Sequence, residues 1–160
     1  MPIPTDLSAA PRRLRRVALG VVALALLAAG GTKLLRTEPS VTMINRYLPT
    51  PKAVRAGGCL EIALALWLIS GRSPKLAPTV AAAALAGMAL LVVSELRRDA
   101  PLPCGCFPTR TAPTDTAAVR QELSVAVGRD VFLAMLCGLA GALAPAEASV
   151  SRRVVAGGES

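Results

Sequence analysis

From Leu76 through Ser94 the chain carries no charged side chain. A helix rising 1.5 Å per residue needs about 20 residues to cross the hydrocarbon core of a bilayer. This run has nearly that length, and its Leu, Val, Ala and Gly residues occupy every face of a 3.6-residue period. A helix apolar all round has no face to give to water, so it belongs either in the core of a large protein or in a membrane. The chain has 160 residues, too few to wrap such a helix completely. A membrane span over about Leu76–Leu96 is therefore expected. Pro78 lies in its first turn, where a missing backbone donor costs little.

Three further segments repeat the pattern. Leu14–Leu35 is uncharged between Arg16 and Lys33. Ala53–Ser70 contains one interior charge, Glu61. Ala118–Leu143 carries Arg120, Gln121, Glu122, Arg129 and Asp130 in its first half and is apolar in its second. Unpaired backbone groups are costly in lipid, so the spans must be helices rather than open strands. Between them, residues 36–52 and 97–116 hold most of the prolines and read as loops, and Gly71, Ser73 and Pro74 form a short turn. The expected fold is all-α, an integral membrane four-helix transmembrane bundle over 14–144. A cytoplasmic N-terminal segment, 1–13, precedes it and a flexible tail, 145–160, follows. The first segment also has the layout of a signal peptide, with Arg12, Arg13, Arg15 and Arg16 ahead of it and small residues around Ala28–Gly31. Leu34 and Leu35 continue the helical pattern past Lys33, whose long stem can reach the interface, and this favours a retained span.

The net charge is +8, with no His, and aromatics are 2% of the chain. The basic residues lie mostly between apolar runs, where they flank membrane spans. With so few stacking platforms, nucleic acid is not an expected partner, and the lipid bilayer is. Four spans put both termini and the Gly71–Pro74 turn on one side and both long loops on the other. The four arginines before the first helix favour a cytoplasmic location for the first side in a cell inner (plasma) membrane, with the second loop periplasmic. Arg36, Arg46, Lys52, Arg55, Arg97, Arg98 and Arg110 lie on or near the opposite side, so the basic count by itself does not decide.

Cys104 and Cys106, separated by Gly105 in the second long loop, are the sharpest chemical feature. Two thiols so close can be bridged only in a strained ring, and a strained disulfide suits exchange better than stapling. Idle thiols in a loop, or a Cu(I) ion held by two soft thiolates, are the alternatives. Cys59, near the start of the second helix and toward the same membrane face, is either a resolving thiol or a small buried packing residue. Cys137, deep in the fourth helix, reads as packing. No His is available for a zinc site, and no metal cluster, phosphate loop or Ser/His/Asp set is present.

Glu61 is the second feature. A carboxylate within a span faces the bundle interior and needs a partner. Arg129 lies at comparable depth on the fourth segment, and Lys33 on the first is the alternative. Asp130, adjacent to Arg129, is expected to point elsewhere. Such a pair either fixes helix register or handles a proton, an anion or a quinone. Gly30–Gly31, Gly57–Gly58 and the Gly138/Ala142 spacing read as helix contacts.

The order of these features resembles the MauE family of methylamine utilisation proteins, a branch of the larger DoxX-like group. The first helix ends in Gly31-Thr32-Lys33-Leu34, and Tyr47-Leu48-Pro49 leads into a helix bearing Glu61. Cys104-Gly105-Cys106-Phe107 separates helices three and four, and the fourth carries Arg129-Asp130. The family usually has Gly where this chain has Pro108, and Asn where it has Asp130. The resemblance covers roughly Leu14 to Leu143. It implies a four-helix inner-membrane protein linked to maturation or export of the disulfide-rich, periplasmic small subunit of methylamine dehydrogenase. By that reading Cys104 and Cys106 are a catalytic redox pair on the periplasmic side, with Cys59 in support, and the partners are periplasmic thiol proteins or another redox protein. No cofactor is required, although a quinone fits the alternative of a small carrier or quinone-linked subunit using Glu61 and Arg129. A non-enzymatic membrane assembly factor is the remaining alternative.

Overall fold

The structure is a computed structural model that describes residues 9–35, 46–47, 50–103 and 115–144. Four helices account for nearly all of them: α1 (Ala9–Leu35), α2 (Pro51–Ser70), α3 (Leu76–Leu96) and α4 (Thr116–Ala142). All four are long and apolar enough to cross a membrane. The all-α, four-span architecture expected from the sequence is the one observed. Helix α1 starts at Ala9, so the arginines from Arg12 to Arg16 belong to the helix rather than to a separate leading segment.

Local chemistry sets the helix ends. Thr50 adopts an extended backbone and its hydroxyl accepts from the Ala53 amide, while Pro51 occupies a first-turn position that lacks a required donor. Gly71, at φ 63°, closes α2 in the left-handed region that favours glycine. Asp115 caps α4, its carboxylate accepting from the Ala117 amide at 3.2 Å.

The helices pack as two close pairs, α1 with α2 and α3 with α4, joined mainly through α1 and α4, while α2 and α3 touch little. The main core draws on all four: Val22 and Leu26, Ala65 and Leu68, Ala81 and Leu85, Leu133 and Cys137. A smaller cluster of Val92, Val119, Leu123 and Ala126 joins α3 to α4 nearer the loop end. Outside, the surface is apolar: Leu24, Leu60, Leu66, Ile69, Leu90, Val125, Phe132 and Met135 are all exposed. Inside, Lys33, Glu95 and Asp130 are buried. Apolar residues outward and charges inward is the arrangement lipid demands, because hydrocarbon solvates the first and not the second.

Two side-chain anchors define the ends of the bundle. At one end Arg15 donates from Nε to the Ala140 carbonyl at 3.0 Å and from Nη2 to the Pro74 carbonyl at 2.9 Å, tying α1 to the C-terminal end of α4 and to the α2–α3 turn. At the other end Arg46 in the first long loop pairs with Glu95 at the end of α3. Both long connections therefore start from the same end of the bundle, as the span count requires.

The α1–α2 contact depends on two glycines. A Cβ on Gly30 would lie 2.7 Å from the Gly58 carbonyl oxygen, and one on Gly58 would lie 2.9 Å from the Gly30 carbonyl oxygen. Their neighbours Gly31 and Gly57 face open space, and so does Gly138, which corrects the expectation that all of these mark helix contacts. Only one residue of each Gly-Gly pair can face the partner, since successive helical positions point about 100° apart. Opposite signs follow for adjacent substitutions. Gly30→Ala should destabilise by about 1–3 kcal/mol through overpacking. Gly31→Ala should be neutral or stabilising by up to about 1 kcal/mol, since Gly is a poor helix residue. Thermal unfolding in lipid nanodiscs checks both.

Candidate functional site

The bundle holds a half-open cavity of about 380 Å³ to which all four helices contribute. Its wall is largely Leu, Ala and Met, interrupted by Lys33, Glu61, Arg129, Asp130 and Tyr47. Glu61 stands ten residues into α2, about 15 Å along its axis, and Asp130 stands ten residues beyond Arg120, which is held at the loop end. The charges thus form one layer near mid-span.

Within it, the Lys33 ammonium donates to Glu61 Oε1. Arg129 places Nη2 2.7 Å and Nε 2.8 Å from Asp130 Oδ1. Both arrangements differ from the sequence expectation. Glu61 takes Lys33, the alternative partner, because the Gly30–Gly58 contact brings the end of α1 directly against α2, with the Lys33 Cβ beside Gly58. Asp130 does not point elsewhere. The long Arg129 side chain folds back onto it, and Asp130 itself is 2% exposed. One oxygen of each carboxylate, Glu61 Oε2 and Asp130 Oδ2, is buried without a hydrogen bond among the described residues.

Glu95 carries a second polar cluster that sequence reading passed over. It is 0% exposed at the loop end of α3. Its Oε1 accepts from Arg46 Nη1 at 2.8 Å and from the Leu102 amide at 3.0 Å. Its Oε2 faces Arg98 Nε at 3.3 Å and the Tyr47 hydroxyl at 3.5 Å. Tyr47 also bonds Ser94 at 3.1 Å, and Arg120 donates to the Leu96 and Arg98 carbonyls. One carboxylate thus binds the first long loop, the end of α3 and the start of the second long loop. The available signal was a carboxylate in the last turn of the most apolar helix, with Arg97 and Arg98 two and three residues on.

The thiols divide. Cys137 is buried in the main core, as expected of a packing residue. Cys59 is exposed, about 12 Å along α2 from Pro51, so it is not the buried packing residue that was one of its two readings. Cys104 and Cys106 lie outside the described residues, and the amide of Leu102, two positions before Cys104, is held by Glu95. Among the described residues no group of three or more His, Cys, Asp or Glu residues is placed to hold a metal ion.

Residues 11–144 match the family described as Methylamine utilisation protein MauE. The chain belongs to that family. No curated protein and no solved structure matches it. The matched range takes in all four helices, the charged layer and the Cys104–Cys106 loop, and it ends just past α4.

Two stability predictions follow. Neutralising either member of the Lys33–Glu61 pair leaves a buried charge behind and should cost about 3–5 kcal/mol, whereas the double variant Lys33→Met/Glu61→Gln should lose much less. A double-mutant cycle on thermal unfolding in nanodiscs reads the difference. Glu95→Ala should raise hydrogen exchange at the Leu102 amide at least tenfold, by loss of a bond to a charged acceptor worth about 1.5–3 kcal/mol. Mass-spectrometric exchange of the 97–103 segment checks this.

Proposed function

We propose that this MauE protein assists disulfide formation in exported proteins, with Cys104 and Cys106 as the exchanging pair. The observation that carries the reading is the Cys-Gly-Cys sequence in a loop between two membrane helices of a MauE chain. The Glu95 cluster supports it. It holds the Leu102 amide, two residues before Cys104, together with the first long loop. The strain of so small a ring favours giving the disulfide away.

The step is an exchange. A partner thiolate attacks one sulfur of the Cys104–Cys106 disulfide, forming a mixed disulfide and releasing the other as a thiolate. A second partner thiolate then resolves the mixed disulfide, so the partner leaves oxidised and the loop is left as a dithiol. On this reading the loops face the periplasm, the Arg12–Arg16 end faces the cytoplasm, and the membrane is the inner (plasma) membrane. The small subunit of methylamine dehydrogenase, a disulfide-rich periplasmic protein, is the type of substrate that the resemblance to MauE proteins implies.

Alkylation trapping in intact cells tests the proposal. Cys106→Ser should accumulate a mixed disulfide through Cys104, seen as a higher band that collapses on reduction, and Cys104→Ser/Cys106→Ser should leave exported partners reduced. Unchanged partner oxidation in the double variant would refute the thiol reading and leave an assembly factor whose Cys pair only shapes the loop.

A further inference from the structure

The charged layer offers more hydrogen-bonding capacity than the protein uses. Asp130 gives Oδ1 to Arg129, and Glu61 gives Oε1 to Lys33, yet the second oxygen of each is buried and accepts no hydrogen bond among the described residues. Buried carboxylate oxygens without donors are costly, and two of them in the lining of one cavity are placed to accept from a molecule that brings donors. Both residues line the same 380 Å³ space. Lys33, Glu61, Arg129 and Asp130 sum to zero charge, so the cavity suits a neutral head.

The route in is lateral. Helices α2 and α3 touch little, and the lining residues Leu60, at 70% exposed, and Leu91, at 41%, lie along that side. On a bundle in lipid, a gap flanked by exposed leucines faces hydrocarbon. A phospholipid headgroup carries an ionised phosphate that belongs at the interface, whereas Glu61 sits halfway along α2.

We infer that this cavity binds the ring of a membrane-soluble quinone and quinol. The quinol's two hydroxyls supply donors for Glu61 and Asp130, and the Lys33 ammonium supplies a donor for a quinone carbonyl. The apolar wall takes the ring face, and the gap between α2 and α3 takes the isoprenoid tail. The volume falls within the usual range for a small-molecule site, about 300–1,000 Å³. The inference deepens the thiol–disulfide reading and rests on it for one point, the source of the electrons. When Cys104 and Cys106 close their disulfide, the two thiols give up two electrons and two protons, and a quinone that accepts both becomes the quinol.

Trp67 is the single tryptophan and packs against the main core, so it reports on quinone binding by quenching. The full chain in lipid nanodiscs, with its thiols alkylated, is titrated with decylubiquinone. Blocking the thiols makes the outcome independent of whether Cys104 and Cys106 exchange. Saturable quenching is expected, weakened at least tenfold in Glu61→Gln and in Asp130→Asn. Ala84→Phe, which plugs the cavity at an exposed lining residue without touching the ion pairs, should abolish it while leaving the thermal transition unchanged. Quenching that never saturates, or that saturates alike in wild type and Ala84→Phe, overturns the inference. So does native mass spectrometry that finds a phospholipid retained through the titration in wild type and lost in Ala84→Phe.

Discussion

An ion pair inside a membrane bundle has little water to fall back on, so separating its two members is costly. The Lys33–Glu61 pair imposes that condition on α1 and α2 near the middle of the span. It can be met only if the two backbones come close, because Lys33 is near the end of α1 and Glu61 is halfway along α2. The bare surfaces of Gly30 and Gly58 permit that approach. Sequence, packing and electrostatics converge on one contact. A side chain at either glycine would separate the charges, and loss of either charge would remove the reason for the approach. The second helix pair carries its own solution, with Arg129 folded onto Asp130. Where the two pairs meet through α1 and α4, and fail to meet between α2 and α3, the cavity remains.

The loop end obeys the same logic at a different depth. Glu95 is fully buried, and its oxygens gather donors from the first long loop, from the end of α3 and from the start of the second long loop. Arg46 and Arg98 are partly exposed, so their individual pairings are screened and modest, while the buried acceptor they share is not. The result ties the first long loop and the start of the second to the end of α3. On the proposed function such a tie matters, since thiol exchange depends on presenting one sulfur to an incoming thiolate at a defined place. In the proposed function the Glu95 cluster positions the loop, and the mid-span layer handles what the loop delivers.

Much of this was legible in the sequence, for a simple reason. In lipid a span is recognised by length and by absence of charge, and both can be read residue by residue, so α1 to α4 emerge within a few residues of their observed ends. The existence of an interior charged site was legible too, because Glu61 interrupts an apolar run. Its pairing was not. Depth counted along helices placed Arg129 opposite Glu61, but the offset between α1 and α2 is set by which face of each Gly-Gly pair makes contact, and that information is not in the spacing. Glu95 was missed because a carboxylate one residue from the end of a span looks like an interface charge. Only the return of Arg46 and Leu102 over it shows that it is buried.

A MauE bundle built this way stands or falls on the charged layer in its interior. Solid-state NMR dipolar recoupling between ¹⁵N at Lys33 Nζ and ¹³C at the Glu61 carboxyl, with the full chain in a lipid bilayer, measures that contact directly. Strong dephasing, of the size expected for a hydrogen-bonded ammonium and carboxylate, is the predicted result. No dephasing, with the Lys33 ammonium exchanging freely with water, would contradict the account at its root.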